Sequence, residues 1–260
     1  MRSISILVPA FASALMLSMS LAYAQHDHHA SPATNESTQN AAPAADNQKS
    51  AERIGDPYPL GTCPVSGKKI GAMGDADIRI YDGREVRFCC AMCPPKFEKD
   101  LPASFAKLDT KIEKDQGPLY PLTASVVTGK DLPASPYEFV YGNRLVRVGG
   151  ESEKATFLQD PKKYLHELDA AAIKAQLPTY PLTKCPVSDE DLGGAMGEAK
   201  NIVVGGRLVQ LCCNDCKKDV EKDPAKYINM VDQARKAKTA APGADSDKKD
   251  DHGEHKHCGH

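Results

Sequence analysis

Apolar and polar residues alternate along three stretches of the chain, and each stretch is broken by a pair of turn-forming residues. The stretches are IRIYDGREVRF from Ile78, YEFVYGNRLVRV from Tyr137 and NIVVGGRLVQL from Asn201. A period of two around Asp82-Gly83, Gly142-Asn143 or Gly205-Gly206 predicts a β-hairpin. After each hairpin the pattern changes. FEKDLPASFAKL, FLQDPKKYLHEL and VEKDPAKYINMV read as one or two helical turns, a proline-marked break and a second short amphipathic helix. Pro102, Pro161 and Pro224 fit the first turn of that second helix.

These patterns belong to a unit that occurs three times. Each copy opens on Tyr-Pro-Leu, at Tyr58, Tyr120 and Tyr180, and continues with CPVSGKKIGAMG, SVVTGKDLPASP or CPVSDEDLGGAMG. A turn, a hairpin and a helical pair make a unit of about 50 ordered residues, a marginal core by itself. The units must therefore pack together, or be tied by metal or disulfides. The tyrosines, Phe97 and Phe157 are expected in the core. The expected fold is α+β: tandem small treble-clef-like modules over residues 56–117, 118–177 and 178–235, with disordered tails.

The ends of the chain read differently. Residues 1–24 combine Arg2, an apolar stretch and the ending Ala22-Tyr23-Ala24, which predicts a secretory signal peptide cut before Gln25. A periplasmic or secreted protein is expected, soluble and without a membrane span after cleavage, in an oxidising compartment. Residues 25–55 and 236–260 have too few large apolar residues for a core and are expected to be disordered. They hold every histidine except His166, in clusters at 26–29 and 252–260 that are expected to bind metal loosely. A formal charge of −2 argues against a nucleic-acid partner.

Comparing the copies isolates the candidate chemistry. Cys63 and Cys185 correspond to Ser125. Cys89 and Cys212 correspond to Gly149, Cys90 and Cys213 to Gly150, and Cys93 and Cys216 to Glu153. The four thiols are present together or absent together, while the apolar pattern persists in the middle copy. Met73 and Met196, in Gly-Ala-Met-Gly, follow the same rule. The first cysteine lies in a turn, the second where the hairpin ends, and the fourth where a helix begins. Thiolates are the metal-binding form, and a helix N-terminus is expected to lower the pKa of Cys93 and Cys216. Strand alternation places Cys90 on the face of Val86 and Phe88, as a core thiol or a spare ligand.

With CPVSGK at Cys63, FCCAMCPPKFEKD at Phe88 and LCCNDCKKDVEKDP at Leu211, the chain resembles the TRASH/YHS family of treble-clef heavy-metal-binding modules. The resemblance implies a metal site at Cys63, Cys89 and Cys93, a second at Cys185, Cys212 and Cys216, and a role in sensing, trafficking or resistance. Two features depart from the family pattern. Ser66 and Ser188 stand where many relatives have a further cysteine, and Cys90 and Cys213 where a serine is common. The middle copy has no ligands, so no site is carried onto it.

Structural Zn(II) usually takes four Cys or His ligands, and neither outer unit contains a histidine. Cu(I) accepts two or three soft ligands, thioether sulfur among them. Three thiolates with Met73 or Met196 nearby favour Cu(I) over Zn(II). A core-filling role is the alternative for the two methionines. The expected partners are metal ions and a metal-exporting or metal-accepting protein. No Ser/His/Asp set, carboxylate pair or phosphate loop is present, so no enzyme activity is expected. Two other readings remain open. Cys90-Ala-Met-Cys93 and Cys213-Asn-Asp-Cys216 have the spacing of thiol–disulfide exchange proteins. A disulfide-stapled structural array would instead leave the unstapled middle copy the least stable.

Overall fold

A computed structural model of the protein describes residues 53–240. The signal segment, the linker through residue 52, both histidine clusters and Cys258 lie outside the described residues. Within them the chain is mixed α/β, with three two-stranded antiparallel hairpins and three pairs of helices. The first repeat has β1 (Asp77–Tyr81), β2 (Arg84–Phe88), α1 (Pro94–Glu98) and α2 (Leu101–Gln116). The second has β3 (Tyr137–Tyr141), β4 (Arg144–Val148), α3 (Glu151–Phe157) and α4 (Pro161–Gln176). The third has β5 (Lys200–Val204), β6 (Arg207–Leu211), α5 (Cys216–Lys222) and α6 (Pro224–Ala240).

The hairpins form where the alternation places them. Tyr81 pairs with Arg84, Tyr141 with Arg144 and Val204 with Arg207, each across a two-residue turn. Both residues of every turn have positive φ, from 49° at Asp82 and Gly142 to 81° at Gly83. This is the turn whose twist matches that of the strands it joins. Gly142 has a second reason to lack a side chain: a Cβ there would lie 2.8 Å from Gly55 Cα.

The second helix of each pair is longer than the sequence pattern suggests, at 16, 16 and 17 residues. Its start is fixed by an aspartate just before it. The Asp100, Asp160 and Asp223 carboxylates accept hydrogen bonds from Ala103 N, Lys163 N and Lys226 N at 3.1–3.2 Å. Each helix packs on its own repeat, through Leu108 and Ile112 in α2, Leu168 in α4 and Tyr227, Ile228 and Val231 in α6. The C-terminal ends of α2 and α4 also reach the hairpin of the next repeat, which is why these two helices exceed one module. Residues 236–240, expected in the disordered tail, continue α6. Their Lys, Ala and Thr residues include several good helix formers, and neither Gly nor Pro interrupts them.

Two buried glutamines make the joints. Gln116 Nε2 donates to Asn143 O at 2.8 Å, and its Oε1 accepts from Leu145 N at 2.9 Å. Gln176 repeats the arrangement one unit later, with Gly206 O at 2.8 Å and Leu208 N at 3.1 Å. Each amide completes the unpaired edge of the following hairpin tip. The third repeat meets the first through Arg87, whose guanidinium donates to Glu221 O and Lys222 O at the end of α5, at 2.7 and 2.5 Å. Because of this joint, β2 is buried on both faces: Val86 and Phe88 on one, Glu85 and Arg87 on the other. Alternation alone would leave the second face in solvent.

The hairpin tips meet around Asp56. Its carboxylate accepts from Arg144 Nε and Nη2 at 2.9 and 3.1 Å and from Gly205 N at 2.6 Å. Residues 53–55, assigned to the linker by composition, are part of this joint, since Ile54 N donates to Gly83 O at 2.8 Å. Each repeat also pairs the first arginine of its second strand with an aspartate of its long helix: Arg84 with Asp109, Arg144 with Asp169 and Arg207 with Asp232. None of the helices is long and apolar enough to cross a membrane, among the described residues.

Candidate metal centres

The turn that carries the first cysteine is the same in all three repeats. In the first, Cys63 N donates to Lys68 O at 2.8 Å and Gly67 N to Cys63 O at 2.9 Å. Ser125 and Cys185 make the matching bonds to Lys130 and Glu190, and from Gly129 and Asp189. The closing residue is left-handed each time, at φ 71° for Gly67, 69° for Gly129 and 62° for Asp189. Aspartate tolerates this conformation better than most residues. The turn is therefore built by the backbone, and its first side chain can change from thiol to hydroxyl without altering it.

The second strand ends at Phe88 or Leu211, and the chain then bends toward the turn. Cys89 and Cys212 lie at this bend. Cys93 is the N-cap of α1, and Cys216 is the first residue of α5. The result is two groups, Cys63 with Cys89 and Cys93, and Cys185 with Cys212 and Cys216. In each the three sulfurs lie within 4.8 Å of one another, and all six cysteines are buried. Cys89 Sγ is 3.8 Å from Cys93 Sγ, Cys212 Sγ is 3.8 Å from Cys216 Sγ, and Cys185 Sγ is 3.9 Å from Cys216 Sγ. Two thiolates on one ion, each at about 2.3 Å and a tetrahedral angle, would stand about 3.8 Å apart. The donor sets thus fit a thiophilic ion, and either group can hold one.

Cys90 and Cys213 are outside these groups but close to them. Cys90 Sγ lies 3.7 Å from Cys93 Sγ, and Cys213 Sγ lies 3.8 Å from Cys216 Sγ. Both are half-buried rather than core residues. The strand stops two residues before Cys90, which still packs, half-buried, against the core cluster that holds Val86 and Phe88, as Cys213 does against that of Val209 and Leu211. Met73 and Met196 are 52% and 56% exposed, which excludes the core-filling role. Met73 Sδ lies 3.9 Å from Lys68 Nζ. His166 is exposed on α4.

The thiols differ in acidity. Burial pushes Cys63 up, but the Ser66 hydroxyl and the backbone of Ser66, Cys89 and Val65 outweigh it and bring the thiol down to about 7. Cys185 comes to about 7 against the same burial, through the backbone of Cys212 and Ser188 and the Ser188 hydroxyl. Cys93 moves the other way. Burial pushes it up to about 12, reinforced by Cys63, Cys90 and Cys89, and Cys216 is raised by burial and its neighbouring sulfurs as well. The expectation of acidic thiols at the helix starts is therefore reversed. Helices of five and seven residues supply little field, and the sulfurs they carry are the most crowded of the set. Ser66 and Ser188, noted in the sequence as departures, have a place here: their Oγ atoms lie 3.2 Å from Cys89 Sγ and Cys212 Sγ.

The middle repeat shows what replaces the thiols. Glu153, at the Cys93 position, accepts from Ser125 Oγ at 2.5 Å, from Gly149 N at 2.8 Å and from Thr128 Oγ1 at 3.1 Å. These donors stand where Cys63, Cys89 and Ser66 stand in the first repeat. A Cβ on Gly149 would approach Glu153 Oε1 to 2.9 Å, so glycine there leaves room for the carboxylate. The hydrogen bonds hold the Glu153 carboxyl below the usual carboxylate range. Turn, strand end and helix start are joined by one anionic group. The sequence gives the correspondence of positions, but that the replacements bond to each other follows only from the structure.

Comparison with protein-family models, with curated proteins and with solved structures finds no match.

Proposed function

We propose that this protein is an exported heavy-metal-binding protein of the TRASH/YHS kind, holding one soft ion in each flanking repeat and sequestering or delivering it. The observation that carries this reading is the convergence of three buried sulfurs, from a turn, a strand end and a helix start, twice in one chain. Residues brought together from three elements and shielded from solvent suit a common ligand better than three separate roles.

Cu(I) is favoured over Zn(II). Each group offers three sulfurs, and the outer repeats contain no histidine to complete a closed four-ligand zinc site. Cys63 or Cys185 provides a thiolate near neutral pH, and the remaining thiols give up protons as the ion binds. The Ser66 and Ser188 hydroxyls orient Cys89 and Cys212 from outside the donor set. The middle repeat, closed by its own carboxylate, serves as the metal-independent frame to which both outer repeats are joined. The signal segment supports a periplasmic or secreted location, where such a protein meets metal before the cytoplasm does. Binding and release proceed by ligand exchange without turnover of a substrate.

The test is metal analysis of the full chain purified anaerobically, with free thiols counted. The wild type is expected to carry one ion per cysteine group, Cys63→Ser or Cys185→Ser to lose one of them, and the double variant to lose both. A metal-free protein with blocked thiols would instead support stapling. Thiol–disulfide exchange is the second reading, favoured by the 3.7 Å approach of Cys90 and Cys93. It predicts reversible two-electron reduction of that pair.

A further inference from the structure

Six of the eight described cysteines are buried in the two groups, and the other two are not. Cys90 and Cys213 stand at the same place in both repeats, half-buried at the bend that follows the strand. Each approaches a buried group through its helix-start sulfur, at 3.7 Å from Cys93 and 3.8 Å from Cys216. That separation is the one expected of two sulfurs sharing a single ion at about 2.3 Å. Each is therefore placed to touch solvent on one side and a member of the buried group on the other. The residues that follow leave the approach open, for Met92 is 69% exposed and Asn214 and Asp215 are exposed as well.

From this geometry we infer that Cys90 and Cys213 are exchange ligands. They govern the rate at which a soft metal ion enters and leaves each group, and contribute little to how tightly it rests there. The inference rests on the metal-binding reading above and adds a route to it. On entry, a bond from the ion to the Cys90 sulfur forms as a bond to the incoming donor breaks, and the thiol proton passes to water. The ion is then shared between Cys90 and Cys93 as the Cys93 thiol gives its proton to water, and bonds to Cys89 and Cys63 form, each sulfur releasing to water any proton it carries, as the Cys90 bond breaks and that sulfur takes a proton back. Delivery to a thiol or thioether acceptor runs the same steps in reverse. The oxidation state of the ion does not change. Without a reachable fourth sulfur, an ion held by three buried thiolates must break a bond before an acceptor can replace it. With one, each new bond precedes the loss of an old one. The middle repeat fits the same logic: lacking the buried group, it also lacks the exchange position, with Gly150 in its place.

The experiment uses the full chain loaded with cuprous ion, with bicinchoninate as both competitor and acceptor. Equilibrium competition gives occupancy and affinity, and stopped-flow absorbance of the copper–bicinchoninate complex gives the transfer rate. Cys90→Ser and Cys213→Ser are expected to keep full occupancy, with affinity within about twofold. The transfer phase belonging to the altered repeat is expected to slow by at least about tenfold, the scale on which residues around a metal site act. Each variant reports on its own repeat, so a folding defect in one leaves the other as the test. Unchanged transfer rates overturn the inference and leave metal binding intact. So does loss of the ion from the altered repeat, which would make Cys90 or Cys213 a resting ligand. A wild-type chain that takes up no cuprous ion overturns both.

Discussion

Ser125 donates a 2.5 Å hydrogen bond to the Glu153 carboxylate, at the positions held by Cys63 and Cys93 in the first repeat. One repeat is thus closed by its own side chains, and its two neighbours present sulfur at the same points. Removing the carboxylate leaves the Ser125 hydroxyl and the Gly149 N–H without their partner. Glu153→Ala is expected to destabilise the metal-free protein by about 2 kcal/mol, the scale of lost hydrogen bonds to a charged group. Thermal unfolding followed by circular dichroism checks this.

The same carboxyl sets a pH dependence. Its folded pKa lies below that of the unfolded chain, because Ser125, Gly149 and Thr128 bond to the charged form. Its contribution is therefore complete above the unfolded glutamate range and is lost as pH falls through the folded value. Stability of the metal-free wild type is expected to drop below the ordinary carboxylate range more steeply than that of Glu153→Gln. Denaturant titrations over a pH series measure the difference.

If the carboxylate stands where a metal group stands elsewhere, the exchange can be made in the other direction. The triple variant Ser125→Cys, Gly149→Cys, Glu153→Cys restores the three thiols on an unchanged turn. The 2.9 Å approach that bars a side chain at Gly149 disappears with the carboxylate. The variant is expected to bind one more metal ion per chain than the wild type, as read by elemental analysis against protein concentration.

Metal affinity is expected to rise with pH. Cys63 and Cys185 lose their protons near 7, whereas burial keeps Cys93 protonated to about 12 until an ion displaces the proton. Loading therefore releases protons, and acid opposes it. Apparent affinity from chelator competition should increase across pH 6 to 9, with a steeper slope below about 7, where the Cys63 and Cys185 protons must also leave.

Asp56 joins the repeats. Its carboxylate holds Arg144 and the Gly205 N–H, and Arg144 is buried. Asp56→Ala leaves a buried guanidinium with Asp169 as its one remaining carboxylate partner, and is expected to cost about 3 kcal/mol. The loss would appear as a lower melting temperature in both metal-free and metal-loaded protein.

The local parts of this architecture are legible in the sequence because they depend on local chemistry. Asp82-Gly83 and Gly205-Gly206 announce hairpin turns, and Asp100, Asp160 and Asp223 before or near a proline announce helix starts. The correspondence of Cys63, Cys89 and Cys93 with Ser125, Gly149 and Glu153 follows from register alone. What depends on the meeting of distant segments is not legible. Arg87 reads as the solvent face of a strand, but its partners are carbonyls at Glu221 and Lys222. Gln116 and Gln176 each lie four residues before the Tyr of Tyr-Pro-Leu, a repeat signal that was available. Their role nonetheless requires the next hairpin to be in place. The acidity of Cys93 is misjudged from sequence for a similar reason: the short helix is visible there, and the crowd of sulfurs is not.

X-ray absorption at the metal edge tests the central claim most directly, on the full chain loaded anaerobically with cuprous ion. A sulfur shell of about three atoms at about 2.3 Å, lost together with bound metal in the Cys63→Ser/Cys185→Ser double variant, is the predicted result. A spectrum dominated by nitrogen or oxygen neighbours, or a sulfur shell that persists in the double variant, would contradict it.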